Sequence, residues 1–282
     1  RICYVKPDLA KQYAMEAVRD GVMETADDSA LFQSWGSITI INPLEKIWNG
    51  YSDTRMGASM DSYLNGYNDP RLPVYFQPVT EGDNKREYRG VANGMPNPQQ
   101  DDYKAMSAPN VQEKSTDSPL RWMMASEVAF LRAEGAMRGW TAEMGGTAEE
   151  FYNKGIELSF LENGLSADAA ARYAADETSK PTDFTDVSAA NTKYNISALG
   201  KITIKWNAGA SEEEQLERII TQKWIAMFPN GTEAWSEFRR TGYPLIFPVR
   251  SNYPTSGVDT NKQIRRMVFP QSEYSNNGAA VQ

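Results

Sequence analysis

Glu233 and Glu237 stand one helical turn apart, with Trp235 between them and Arg239 and Arg240 just behind. Two carboxylates beside a tryptophan are the residue types that cleave glycosidic bonds, and a guanidinium pair suits an anion. A four-residue spacing, however, puts both glutamates on one face of a helix, whereas a glycosidase pair flanks its substrate, usually from separate elements. The same residues read equally as a helix with defined ends. Thr232 is placed to be its N-cap, with Glu233 at the positive end and Glu237 reaching Arg240 at i+3. The arginines then sit at the negative end, Gly242 supplies a left-handed C-cap and Pro244 blocks continuation. This structural reading employs every residue in "GTEAWSEFRRTGYPLIFP"; paired-carboxylate hydrolysis is the alternative.

A second constellation lies far upstream. Between positions 32 and 68 the aromatic residues Phe32, Trp35, Trp48, Tyr51, Tyr63 and Tyr67 alternate with Gln33, Asn42, Asn49, Asp53, Arg55 and Asn65. Flat rings interleaved with amides, carboxylates and a guanidinium suit a ligand with apolar C–H faces edged by hydroxyls, which is what a sugar presents. The candidate ligand-binding residues are therefore Trp35, Trp48, Asn49, Tyr51, Asp53, Arg55 and Tyr67, centred on "EKIWNGYSDTR". The competing reading packs Trp48 and Tyr51 beneath the loop as a small satellite core. Trp206, Trp140 and Trp224 are read as packing residues: one ending a short strand after Ile202 and Ile204, one plugging a helix turn, one on a buried helical stripe.

Composition removes several chemistries. The chain has 282 residues, a net charge of −8, no histidine and one cysteine. Without histidine there is no Ser-His-Asp or Cys-His machinery, and the commonest zinc ligand is missing. An acidic balance without a basic run argues against nucleic acid as a partner. Cys3, in the apolar stretch "ICYV", reads as a buried structural thiol. "DFTDVSAAN" and "NGYNDP" lack the spacing of a calcium loop, and no glycine-rich phosphate cradle occurs, so no metal or cofactor is expected. No apolar run reaches membrane-spanning length, and any targeting signal or lipid anchor is expected upstream of Arg1.

The elements that must position these residues follow from periodicity and caps. A helix is expected over 8–24, with Leu9, Tyr13 and Ala17 on one face. Residues 27–118 are loop-rich, too long for an inert connection, and are expected to form the ligand face. Leu120, Met124, Val128, Leu131 and Gly135 recur at helical spacing and predict a helix over 119–138, with Pro119 in its first turn. Thr147 with Glu150, and Ser211 with Glu214, form capping boxes that open helices at 148 and 212. The stretches 119–165 and 211–242 then make a helical scaffold, and 274–282 a polar tail. Asp69-Pro70-Arg71 predicts a turn with an internal ion pair.

In order and spacing, "MDSYLNGYNDPRLPVYF", "WMMASEVAFLRAEGAMRGW", "ITQKWIAMFPNGTEAWSEFRRTGYP" and "IRRMVFPQSEYSNN" resemble the C-terminal half of SusD/RagB-like proteins. The resemblance runs from about 60 to 277. It implies a mainly α-helical, SusD-like fold of tetratricopeptide-like helix pairs with a loop-rich ligand region, the whole chain being one portion of a single such domain. It also implies a Bacteroidetes outer-membrane lipoprotein that binds an oligosaccharide or other nutrient without cleaving it, and passes it to a SusC-like TonB-dependent transporter. A helical-repeat interaction scaffold without a small ligand is the remaining alternative.

Overall fold

The computed structural model describes residues 1–34, 38–39, 42–43, 46–85, 87–95, 99–110, 119–252, 258–267 and 269–280, and of Asn49 the backbone only. From the N-terminus, α1 (Pro7–Arg19) leads through a short 3-10 turn to β1 (Ala30–Phe32). A π-helical turn (Lys46–Tyr51) precedes α2 (Ala58–Gly66). β2 (Leu120–Met123) runs directly into α3 (Ala125–Gly135), which is followed by α4 (Ala148–Leu161) and α5 (Ala167–Ala174). Then come α6 (Glu212–Ala226), α7 (Gly231–Thr241) and α8 (Gln271–Asn276). The chain is mainly α-helical, and β1 and β2 pair as one antiparallel ribbon.

Capping chemistry starts the scaffold helices as the sequence predicts. The Thr147 hydroxyl accepts from the Glu150 N–H, while the Glu150 carboxylate accepts from the Thr147 N–H at 2.7 Å; Ser211 and Glu214 repeat the arrangement. Each box satisfies two of the donors that a helix N-terminus leaves unpaired. Helix α7 departs from expectation: Asn230, not Thr232, is its N-cap, accepting from the Glu233 N–H at 3.2 Å, while Gly242 closes it in the left-handed region at φ 86°. Asparagine is as strong an N-cap as threonine, and the helix starts from it two residues earlier than expected.

The predicted 119–138 helix is the larger correction. Its first residues form β2 because β1 supplies a partner strand from ~90 residues upstream, a non-local pairing to which helical periodicity is blind. Helix α3 is buried nearly all round, so no stripe is selected; Leu131, placed on the buried stripe, is exposed. Phe130 of α3 meets α4 where a side chain at Gly155 would come within 2.7 Å of its ring. Residues 202–206 form no strand, although Ile202, Ile204 and Trp206 are all buried. Helix α1 ends at Arg19 rather than 24 and buries no residue.

One core joins α2, α3, α4, α5 and α6, and Tyr63, Tyr67, Phe130, Tyr152, Phe160 and Ile219 lie inside it. Buried at its centre is the predicted Asp69–Arg71 pair. The Arg71 Nε and Nη2 donate to Asp69 Oδ1 and Oδ2 at 2.9 and 2.6 Å, both side chains being fully buried. Its other donors reach Ser159 Oγ (3.0 Å) and Gln222 Oε1 (2.9 Å), and Tyr173 donates its hydroxyl to Asp69. Burial opposes the charge on Arg71, but the Asp69 carboxylate outweighs it and holds the guanidinium pKa above its ordinary value. The pair thereby fastens the loop-rich segment to α4, α5 and α6.

Candidate functional site

Helix α7 has two unlike sides, and the candidate site lies on one of them. Residues 233 and 237 share a face, while 235 lies on the opposite one. On the glutamate side, Lys223 of α6, 1% exposed, sends its ammonium to Glu127 (3.5 Å), Glu233 (3.3 Å) and Glu237 (3.2 Å). Arg240 grips Glu134 of α3 with two nitrogens at 2.6 and 2.7 Å and also pairs with Glu237. Arg138 adds to Glu134 at 2.8 Å, and Arg1 closes on Glu233. Four cations thus meet four carboxylates, which is how charges survive burial. Burial acts to raise the Glu237 carboxyl, but Lys223 and Arg240 prevail and hold it at about 2. Burial pushes the Glu127 carboxyl up, with Lys223 opposing. Cys3 is not in an apolar setting: its sulfur, half-buried, lies 3.5 Å from the Arg240 guanidinium at the edge of this network.

The other side of α7 opens onto a cleft of about 450 Å³ walled by Trp48, Trp224, Phe228 and Trp235, with Arg55 and the amides Asn93 and Gln263 among its polar groups. Trp48 lies parallel to Phe228, ring centres 6.3 Å apart with 2° between planes. Phe228 is backed by Tyr75 at 4.8 Å and Phe76 at 5.0 Å, so the aromatic wall is anchored in the main core. Trp224 stands edge-on to Tyr63 at 5.7 Å. Trp235 is half-buried; its indole N–H donates to the Ile264 carbonyl at 2.8 Å, and the Arg239 guanidinium covers its ring at 4.6 Å. The volume and the lining of rings with a few polar groups fit a pocket for an amphipathic small ligand. Among the described residues no cluster of acidic or cysteine side chains could hold a metal ion, and no helix is long and apolar enough to cross a membrane.

The structure separates the seven residues nominated from sequence. Trp48 and Arg55 line the cleft. Arg55 also holds the loop: it donates to the Lys104 carbonyl through Nε and Nη2 at 3.2 and 2.7 Å, and through Nη1 to the Ser52 and Thr54 carbonyls. Tyr51, at the end of the Trp48 turn, and Asp53, two residues beyond it, are exposed and outside the lining. Tyr67 belongs to the core, 1% exposed with its hydroxyl donating to the Ile202 carbonyl at 3.2 Å, and offers no ring face to a ligand. Trp35 and the Asn49 side chain lie outside the described residues. Trp224, Phe228 and Trp235 were missed as lining residues. The position of Trp235, opposite two ion-pairing glutamates on one helix, is the signal that could have found it.

The model of the SusD and RagB outer membrane lipoproteins matches residues 1–282. The chain belongs to the SusD-like family. A SusD homologue from Bacteroides thetaiotaomicron superposes with a TM-score of 0.86 at 41% identity, over 99% of this chain and 56% of that one. A chitin-binding SusD homologue from Flavobacterium johnsoniae gives 0.86 at 42% identity, over 99% and 56%. One from Bacteroides vulgatus gives 0.88 at 36% identity, over 98% and 55%. The SusD-like chain therefore spans a little over half the length of these solved relatives. Comparison with curated proteins returns no match.

Proposed function

We propose that the protein is a cell-surface glycan-binding lipoprotein that captures an oligosaccharide in the Trp48–Trp224–Phe228–Trp235 cleft and delivers it to a SusC-like TonB-dependent transporter. The observation that carries this reading is the cleft itself: four aromatic side chains, with Trp224 and Phe228 packed against the core, edged by amides and a guanidinium, in a family with a chitin-binding homologue. Aromatic walls meet the C–H faces of pyranose rings, and the amides are placed to meet hydroxyls. Tyr51, at the exposed end of the turn that carries Trp48, and Asp53, exposed just after it, extend the site at its rim.

The protein binds its ligand and does not cleave it. A glycosidase needs one carboxyl protonated as general acid. Glu237, with its carboxyl held at about 2 and tied to Lys223 and Arg240, cannot serve. A glycan microarray followed by calorimetry tests the proposal: a saccharide should bind, Trp235→Ala should weaken it at least about tenfold, and no shorter product should form. Absence of any saccharide hit overturns the glycan reading, and turnover overturns the binding role.

A further inference from the structure

Where β1 meets β2, the ladder slips. Ala30 pairs with Met123 and Leu31 with Arg121, so one step along β1 spans two along β2, and Trp122 is the residue left over. A β-bulge of this kind re-aims the side chain it frees. Here it holds Trp122 out, 77% exposed, the most open aromatic ring among the described residues. Burial is where an indole contributes most to stability, and within this chain Trp122 forgoes it.

Trp122 lines a second and larger cleft, about 780 Å³, together with Leu31, Pro43, Arg121, Asn230 and Thr232. The polar groups complement the ring. Arg121 commits Nη2 to the Glu162 carbonyl (3.3 Å) and Asn163 Oδ1 (3.1 Å), and its other N–H groups have no hydrogen-bond partner among the described residues. This cleft adjoins the first: Phe228 and Pro229 line both. The turn into α7 divides them, with Asn230 and Thr232 facing the larger and Gly231, Ala234 and Trp235 the smaller.

We infer that the larger cleft is a second saccharide subsite with Trp122 as its stacking platform, and that the ligand is an extended oligosaccharide spanning both clefts across the 228–232 turn. The inference rests on the glycan reading of the first cleft. Each cleft alone has the volume of a small-ligand pocket; two that share Phe228 and Pro229 as lining suit a chain of several sugar rings.

The test is a microarray of linear glucan, xylan, mannan and chitin oligosaccharides of graded length, probed with the intact protein and with Trp122→Ala and Trp122→Phe. Affinity should rise with chain length. Trp122→Ala should cost the longest ligand at least about tenfold while leaving the shortest unchanged, and Trp122→Phe should restore most of the loss. Short and long ligands bound equally, or a Trp122→Ala protein indifferent at every length, would overturn the second subsite and leave the first standing. No binding to any saccharide would remove both.

Discussion

The two faces of helix α7 are built from opposite materials. One presents Glu233, Glu237 and Arg240 to a buried charge network; the other presents Ala234, Trp235 and Phe238 to an open aromatic cleft. The charged face is rigid in consequence, because any displacement leaves an ion unpaired in a low dielectric. The aromatic face has no such obligation, since dispersion and apolar contact are non-directional and tolerate a guest. The residues with the most familiar chemistry hold the cleft in place, and the residues with the least chemistry form it.

The sharpest way to break this division is to remove the central cation. Lys223→Ala leaves Glu127, Glu233 and Glu237 without their shared partner and is expected to cost about 3–5 kcal/mol of unfolding free energy. Urea denaturation measures the loss, and ligand affinity of the surviving folded protein should change far less than stability does. A large affinity loss at full stability would show that the charged face itself touches ligand.

The acid limb sharpens the same point. The Glu237 carboxyl is held at about 2 against an ordinary 4.5. A folded-state pKa below the unfolded one contributes stability that is complete above the unfolded value and lost as the pH falls through the folded one. Glu134, lowered by Arg240 and Arg138 against its own burial, acts in the same direction. Glu127, raised by burial, acts in the opposite one and offsets part of the loss. Melting temperature should therefore fall between about pH 4.5 and pH 2, and Glu237→Gln should flatten that fall while lowering stability at neutral pH. An unchanged acid limb in the variant would place the pH dependence elsewhere.

On the aromatic side, Trp48 and Trp235 should separate stability from binding. Trp48 is buried and stacked on Phe228, so Trp48→Ala opens a hole in the wall and should cost about 3 kcal/mol as well as affinity. Trp235 is half-buried, with Arg239 over its ring and its indole N–H on the Ile264 carbonyl; Trp235→Ala should cost about 1 kcal/mol of stability yet weaken saccharide binding at least about tenfold. Calorimetry and thermal melts on the two variants measure both quantities. Equal stability losses would mean that Trp235 is a core residue and the cleft is shallower than its lining implies.

Local chemistry was legible in the sequence and long-range pairing was not. The capping boxes at Thr147 and Ser211, the Gly242 stop and the Asp69–Arg71 pair each depend on residues within a few positions of one another, and each stands where predicted. The β2 strand was read as helix because its partner β1 lies far upstream, and with the strand the display of Trp122 was lost. Family motifs identified the relationship over most of the chain. For the site, aromatic interleaving found Trp48 and Arg55 but also drew in Tyr67, because a tyrosine in a loop-rich stretch looks the same whether its hydroxyl meets water or a buried carbonyl. Trp224 and Trp235 come from helices 170–190 residues away, and only the fold brings them to Trp48.

The smallest effects mark the boundary of the site. Tyr51 ends the turn that carries Trp48 and Asp53 follows two residues later, but both are exposed and neither lines the cleft. Tyr51 is touched by Lys46, whose ammonium lies 5.6 Å from its ring centre, an exposed contact of little energetic weight. Tyr51→Ala and Asp53→Ala should each move stability by no more than about 0.5 kcal/mol, and as rim contacts each should weaken a bound saccharide by only about twofold. The contrast with Trp235 is what matters. If Tyr51→Ala proved more damaging than Trp235→Ala, the ligand would lie on the outer surface of the 46–51 turn, and the cleft beside α7 would be only the packing that supports it.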